Sequence, residues 1–305
     1  MKAKLGIAPI AWSNDDLPEL GGETSLETCL SEAKIAGFMG VETGGKFPKN
    51  SKELKPILDH HEINLCGGWY SGTLLDNDLE DEKLKVRTQI DLFIDLGAPC
   101  LVYGETAGTI QNIRNAPLNS RRILSDEEFK KYGEKITKFF EWCDLEGMPL
   151  SFHHHMGTAV ETEKDLDNLM QNTNETVKLL FDPGHMAFAG GNIINVIKKY
   201  GKRINHFHAK DVRNEVLNSL NREKDSFLDA VLKGAFTVPG DGSLNYTDII
   251  SNLKDVGYEG WFVVEAEQDP KICPPLEYAI IGFNSLSQSL RSLDYEIIND
   301  NINKC

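Results

Sequence analysis

One phrase recurs along this chain: a helical pattern closes on a glycine, and a short apolar run follows at once. It reads AGFMGVE (36–42), LGAPCLVY (96–103), EGMPLSFH (146–153) and VGYEGWFVVE (256–265). A glycine just past a helix tolerates the left-handed conformation that ends it. An apolar run too short for a buried helix reads as a strand covered on both faces. Strand patterns begin near Leu5, Phe38, Ile63, Pro99, Pro149, Val177, Ile204 and Trp261, with helical patterns between them. Eight βα repeats in 305 residues fit a closed parallel barrel ringed by helices. The competing doubly wound sheet carries a glycine-rich phosphate loop after its first strand, where this chain has APIAWSND (8–15). The expectation is an α/β protein with a single (β/α)8 barrel domain over residues 1–293. A polar tail, 294–305, is expected to fray.

Thr24–Glu27 and Ser125–Glu128 have capping-box spacing and mark two helix starts. Residues 106–126 and 212–243 are long connections after the fourth and seventh strands. Long loops at the C-terminal face of a barrel usually build or cover a site.

The chemistry concentrates at the ends of the strands. MPLSFHHHMGT (148–158), VKLLFDPGH (177–185), INHFHAKD (204–211) and GWFVVEAEQD (260–269) are apolar runs that end in metal-binding side chains. Alternate residues of a strand share a face, which pairs His153 with His155, His206 with His208, and Glu265 with Glu267. By the same alternation His154 turns away, and its loss should be mild. His153, Asp182, His208 and Glu265 supply two nitrogens and two carboxylates, one per neighbouring strand. That mixture suits a borderline divalent ion such as Mn²⁺, Co²⁺ or Zn²⁺. Four ligands in six-coordinate geometry leave two positions for a hydroxy-ketone. Glu42, His155, His185, His206 and Lys210 then lie within reach for proton transfer. Trp12, Trp69 and Tyr70 are candidate stacking walls for a sugar ring, and Lys46 follows the second strand. His60 and His61 sit in a helical pattern that faces solvent.

Charge narrows the partners. A formal charge of −15, from 32 basic and 47 acidic residues, disfavours a phosphate backbone, so no nucleic acid is expected. No apolar stretch reaches the roughly 18 residues of a membrane span, and the first residues do not resemble a secretory signal. Six scattered cysteines without a CxxC pair read as reduced core fillers. A cytoplasmic location is expected.

At these residues the chain resembles the xylose-isomerase-like TIM-barrel superfamily of sugar isomerases, epimerases and dehydratases. The resemblance runs through APIAWSNDDLPELGG (8–22), GFMGVETGGKFP (37–48), HHHMGTAVET (153–162), FDPGHMAFAGG (181–191), HFHAKDVR (206–213), FLDAVLKGAFTVPGDG (227–242) and GYEGWFVVEAEQDP (257–270). AWSNDDLPELGG, GGKFP and FTVPGDG are more specific and are most similar to the inosose dehydratase branch. The superfamily places Glu, Asp, His and Glu on its metal, which implies His153, Asp182, His208 and Glu265 here. His153 replaces the first glutamate, and His155 is the alternative ligand from that strand.

The resemblance also implies a reaction. A hydro-lyase would remove water from a cyclic keto-polyol, 2-keto-myo-inositol, giving 3D-(3,5/4)-trihydroxycyclohexane-1,2-dione in myo-inositol catabolism. It implies Mn²⁺ or Co²⁺, added glutathione, and a homo-oligomer. Glu42, His155 and Lys210 form the acid–base shortlist, with His185 and His206 on substrate hydroxyls. The same residues would serve an isomerase or epimerase, and a non-catalytic metal- or sugar-binding barrel is the third reading. A barrel nuclease would want a basic groove, against the charge.

Overall fold

Each apolar run is a strand. In the computed structural model, which describes residues 1–298, the strands are β1 (Lys2–Ile7), β2 (Gly40–Thr43), β3 (Asn64–Gly72), β4 (Leu101–Glu105), β5 (Leu150–His153), β6 (Lys178–Phe181), β7 (Ile204–Ala209) and β8 (Gly260–Val264). They pair in parallel in chain order, and β8 closes onto β1 through Ala3–Gly260 to Ile7–Val264. Eight helices form the outer ring: α1 (Leu26–Ala36), α2 (Ser51–His60), α3 (Leu79–Asp95), α4 (Asp126–Leu145), α5 (Glu163–Gln171), α6 (Ile193–Tyr200), α7 (Tyr246–Asp255) and α8 (Pro275–Ser292). Chain order, parallel pairing and closure make this the expected (β/α)8 barrel.

Local chemistry explains the punctuation. Gly37 ends α1 at φ 107°, and Gly97, Gly147 and Gly257 also have positive φ at the corresponding joints. Ser125 caps α4 in a reciprocal box with Glu128. The first box does not form. Ser25, not Thr24, caps α1 by accepting from the Thr28 amide. All five cysteines among the described residues are buried and unpaired; Cys305 lies outside them. No helix among the described residues is long and apolar enough to cross a membrane.

The tail is tied down where it begins. Strand β2 meets β1 only at Gly6 and Ile7, so the lower half of β1 has a free edge. Glu296–Ile297 fills it, pairing with Lys2 and Ala3. Tyr295 is buried, and its hydroxyl donates to the Tyr258 carbonyl at 2.8 Å. Residues 299–305 lie outside the described residues.

The two long connections meet above the C-terminal mouth. The Leu118 amide donates to the Asp225 carbonyl at 2.9 Å, and Pro117 bridges Ser226. A separate apolar cluster, including Leu118, Met156, Phe188, Phe227 and Phe236, packs there. A short ribbon of Asp211–Val212 with Phe236–Thr237 stiffens the second loop.

His154 faces out of the barrel, as alternation requires, but the helical layer buries it completely against Phe181, ring centroids 5.7 Å apart. Outward does not mean solvated in a barrel. His154→Ala should therefore cost about 2 kcal/mol of stability, by urea denaturation, while the folded variant keeps its metal content.

Candidate active site

Four side chains converge at the C-terminal ends of β5 to β8. His153 ends β5, Asp182 follows β6, His208 lies in β7, and Glu265 follows β8. Each offers one ligand atom within 4.8 Å of the others, and all four are buried. The His153 Nδ1–H donates to the His154 carbonyl at 2.6 Å, which turns Nε2 inward, 3.8 Å from Asp182 Oδ2. Asp182 caps the short helix Pro183–Phe188; its Oδ1 accepts from the His185 amide at 2.9 Å. That leaves Oδ2 aimed at the cluster.

The donors fit a divalent cation. Asp182 Oδ2 and His208 Nδ1 are both buried without a hydrogen-bond partner. His208 Nδ1 lies 2.8 Å from Glu265 Oε2 and 3.7 Å from Asp182 Oδ2, yet without the alignment of a hydrogen bond. Burial opposes charge on His208, but Glu265 and Glu42 outweigh it and hold the ring well above the usual histidine range; a bound cation would take the place of the Nδ1 proton between these carboxylates. Burial and the neighbouring His208 hold His153 well below the usual histidine range, so it is neutral, as a ligand must be. Burial opposes ionisation of Glu265, but His208 and Lys210 outweigh it and hold the carboxyl well below its ordinary value.

Supporting groups fix the donors. Glu42 Oε1 is 2.7 Å from His206 Nε2 and 3.1 Å from His208 Nε2. A proton on His208 Nε2 shared with Glu42 leaves Nδ1 as the ligand lone pair. Burial raises Glu42, but His208 and His206 pull its carboxyl down to about 2. Burial opposes the charged form of His206, yet Cys100 and Glu42 push it up to about 9. Gly67 makes room for this pair: a Cβ there would stand 2.9 Å from Glu42 Oε1 and 3.2 Å from His206 Nε2. Lys210 is buried with Nζ 2.7 Å from Glu265 Oε1, 2.9 Å from Glu267 Oε1 and 2.9 Å from His185 Nε2. Burial works against its charge; Glu265, Glu267 and Asp182 outweigh burial and hold it charged.

A cavity open to solvent lies over the donors. Its β5–β8 side presents His153, His155, His208 and Glu265, and its other side presents Glu42, Trp69, Asp15, Asp16 and Gln111. His155 donates from Nδ1 to the Met156 carbonyl at 2.8 Å, leaving Nε2 free to accept. Burial, then Lys210, lowers this histidine to about 3. The Trp69 ring lies 5.6 Å from both His153 and His155, and its N–H donates to Ser71 Oγ at 2.8 Å.

Of the residues singled out in the sequence, Glu42, His155 and Trp69 line the cavity together with His153, His208 and Glu265. Lys210, His185 and His206 stand one layer behind that wall, bonded to residues that line it or to each other. Three aromatic and basic candidates lie elsewhere. Tyr70, next to Trp69, points to the opposite face of β3 and donates to Glu82 Oε1 at 2.5 Å. Trp12 is a core residue whose N–H donates to Glu32 Oε2 at 2.6 Å. Lys46 ties down the first loop, donating to the Gly22 carbonyl at 2.7 Å and to that of Thr24. Outside the cavity, His60 is exposed, but His61 is buried with Nε2 2.9 Å from Glu27 Oε2.

Asp15, Asp16 and Gln111 were not candidates from sequence. The SNDDLPELGG stretch held the signal. Asn14 Oδ1 accepts from the Asp16 and Leu17 amides at 2.9 and 3.0 Å, an Asx turn that presents the two aspartates.

Two measurements test this arrangement. Glu265→Gln removes an anionic ligand and should lower bound divalent metal at least tenfold, by elemental analysis of the dialysed protein. The second concerns His206 in metal-free protein. Its folded value of about 9, against an ordinary 6.5, adds stability that is complete below pH 6.5 and lost as pH rises through 9. Unfolding free energy should fall as pH rises across that window. His208, held against burial above the usual histidine range by Glu265 and Glu42, and Glu267, lifted by burial to about 7, contribute as well. His206→Gln should therefore make the decline shallower without abolishing it. Glu42, lowered to about 2, loses its contribution only in acid and does not enter the window.

Three kinds of relative share this chain's pattern. The family model of the xylose isomerase-like TIM barrel matches residues 30–289. The rhizopine catabolism protein MocC of Rhizobium meliloti is 46% identical over 97% of this chain and 91% of its own. Proteins named inosose dehydratase from Geobacillus thermodenitrificans and Clostridium perfringens are 42% and 43% identical, over 92% and 91% of this chain and 94% of each relative. Among solved structures, a sugar phosphate isomerase/epimerase from Parabacteroides distasonis superposes with TM-score 0.68 at 15% identity, covering 94% of this chain and 95% of that one. The IOLI protein with a bound zinc atom superposes with TM-score 0.64 at 17% identity, over 95% and 97%. At that identity both structures speak to the fold alone. With the family model spanning most of its length and close relatives matching nearly all of it, the chain belongs to the xylose isomerase-like TIM barrel family.

Proposed function

We propose that this protein is an inosose dehydratase, a hydro-lyase that removes water from 2-keto-myo-inositol to give 3D-(3,5/4)-trihydroxycyclohexane-1,2-dione. The observation that carries the reading is a buried four-donor cluster beneath a solvent-open cavity, in a chain 42–43% identical to proteins of that name over 91–92% of its length. A divalent ion held by His153, Asp182, His208 and Glu265 would act as a Lewis acid on the ketone oxygen and so acidify the neighbouring C–H.

The side chains do the rest. His155 is neutral with its Nε2 lone pair toward the cavity, and it takes the α-proton. Glu42 fixes the ring of His208 through Nε2. Lys210 holds the Glu265 and Glu267 carboxylates in place. The indole of Trp69 gives the apolar face of the ring a surface to stack on.

Mn²⁺ or Co²⁺ as the ion suits the nitrogen and carboxylate mixture. Glutathione, a homo-oligomeric state and a cytoplasmic location carry over from the family resemblance.

The purified, metal-loaded protein should convert 2-keto-myo-inositol to a product lighter by one water, with the absorbance of a dione. An epimer of unchanged mass would instead make it an isomerase, and binding without turnover would make it a binding protein. His155→Gln should lower kcat by about 10²–10⁴-fold while metal content is unchanged.

A further inference from the structure

We propose that Asp16 is the acid that protonates the departing hydroxyl, with Gln111 as its positioning residue; this rests on the dehydratase reading.

The cavity has two unlike halves. All four metal-binding donors come from β5 to β8. Most of the remaining lining comes from β2 to β4 and from the loops after β1, β2 and β4, and Asp16 and Gln111 belong to it. A ketone with its adjacent hydroxyl on the donor side leaves the far edge of a six-membered ring, with the β-hydroxyl, toward the loops. An elimination needs a proton there, on the carbon–oxygen bond that breaks.

Asp16 is built to stay in place. Its Oδ2 accepts from Gln111 Nε2 at 2.9 Å. The amide of Gln111 is oriented in turn, since its Oε1 accepts from Thr109 Oγ1 at 3.2 Å, and the side chain is buried. Asn14 fixes the backbone of Asp16. Tying the loops together is already the work of Asp15, whose Oδ2 accepts from the Gly45 amide at 2.7 Å. Among the described residues, Asp16 Oδ1 has no protein hydrogen-bond partner, and Asp16 lines the cavity. Burial also pushes the Asp16 carboxyl upward, against the Gln111 hydrogen bond, which favours the protonated form a donor needs.

The step balances without an oxidant. The α C–H bond breaks, its proton goes to His155, and its electron pair becomes the new C=C bond. The β C–O bond breaks with its electrons on oxygen, that oxygen takes the Asp16 proton, and water leaves. The enol relaxes to the dione, and solvent exchange returns a proton from His155 to Asp16.

The test compares two leaving groups. Fluoride departs without a proton, so a β-fluoro analogue of 2-keto-myo-inositol bypasses the acid. On the natural hydroxyl, Asp16→Asn should lower kcat about 10²–10³-fold with KM changed only a few-fold. On the fluoro analogue it should lose less than about threefold, and it should still exchange the α-proton in D₂O. Gln111→Leu, which keeps the carboxyl but frees its orientation, should show a smaller loss with the same dependence on leaving group. Equal losses on both substrates, no loss on the hydroxyl substrate, or the selective loss appearing in Asp15→Asn instead would overturn the assignment. Parent protein that neither exchanges the α-proton nor eliminates water would sink the dehydratase reading as well. Parent turnover with an unaffected Asp16→Asn variant would sink this assignment alone.

Discussion

Four carboxylates, those of Glu42, Asp182, Glu265 and Glu267, are buried together at one end of the barrel. Removing a carboxylate from water costs several kcal/mol unless a cation or hydrogen-bond donors replace the solvent. Much of the local sequence answers that demand. Lys210 lies between Glu265 and Glu267, and His206 lies against Glu42. Asp182 has one oxygen satisfied by a helix N-terminus and the other by nothing among the described residues. The remaining deficit falls where His153, His208 and Glu265 also point. A divalent ion held there would complete this charge arrangement.

A parallel barrel meets this demand cheaply because every strand delivers its last residue to the same rim. The donors stand on strands or on the residue just after them, held by hydrogen bonds along neighbouring backbones. The loops after β1, β2 and β4 supply side chains without strand support, and they are held to one another by Asp15, Asn14 and Gln111. Strands and the residues just after them thus carry the proposed metal donors and base. Loops carry the acid proposed for the bond that breaks.

The strands and their glycine caps were legible because each signal lies within ten residues of sequence. The donor set was legible for the same reason: each ligand ends an apolar run. Tyr70 was also readable in principle, since Trp69 and Tyr70 are neighbours in a strand and only one of them can face inward. Gln111 and Asp16 were not readable, for they meet across 95 residues through a hydrogen bond that no local pattern encodes. Lys46 is a further kind of miss. A lysine after a strand looks like a substrate contact, yet here backbone carbonyls of Gly21 and Gly22 recruit it to hold a loop. The start of the tail pairs with β1 because a short β2 leaves an edge, and edge length is a tertiary fact.

The histidine at the end of β5 follows from the same charge constraint. Four buried carboxylates face Lys210, His206 in its raised, protonated state and, where an ion binds, its two charges, while burial lifts Glu267 to about 7 and so eases its own demand. A glutamate in place of His153 would add a further negative charge to this buried volume. His153 supplies a ligand atom without a charge, and burial keeps it neutral. The neutral donor at His153 and the lysine–glutamate pair behind it belong to one charge arrangement: a histidine there limits the anionic charge that the buried Glu42 and Glu267 would otherwise share.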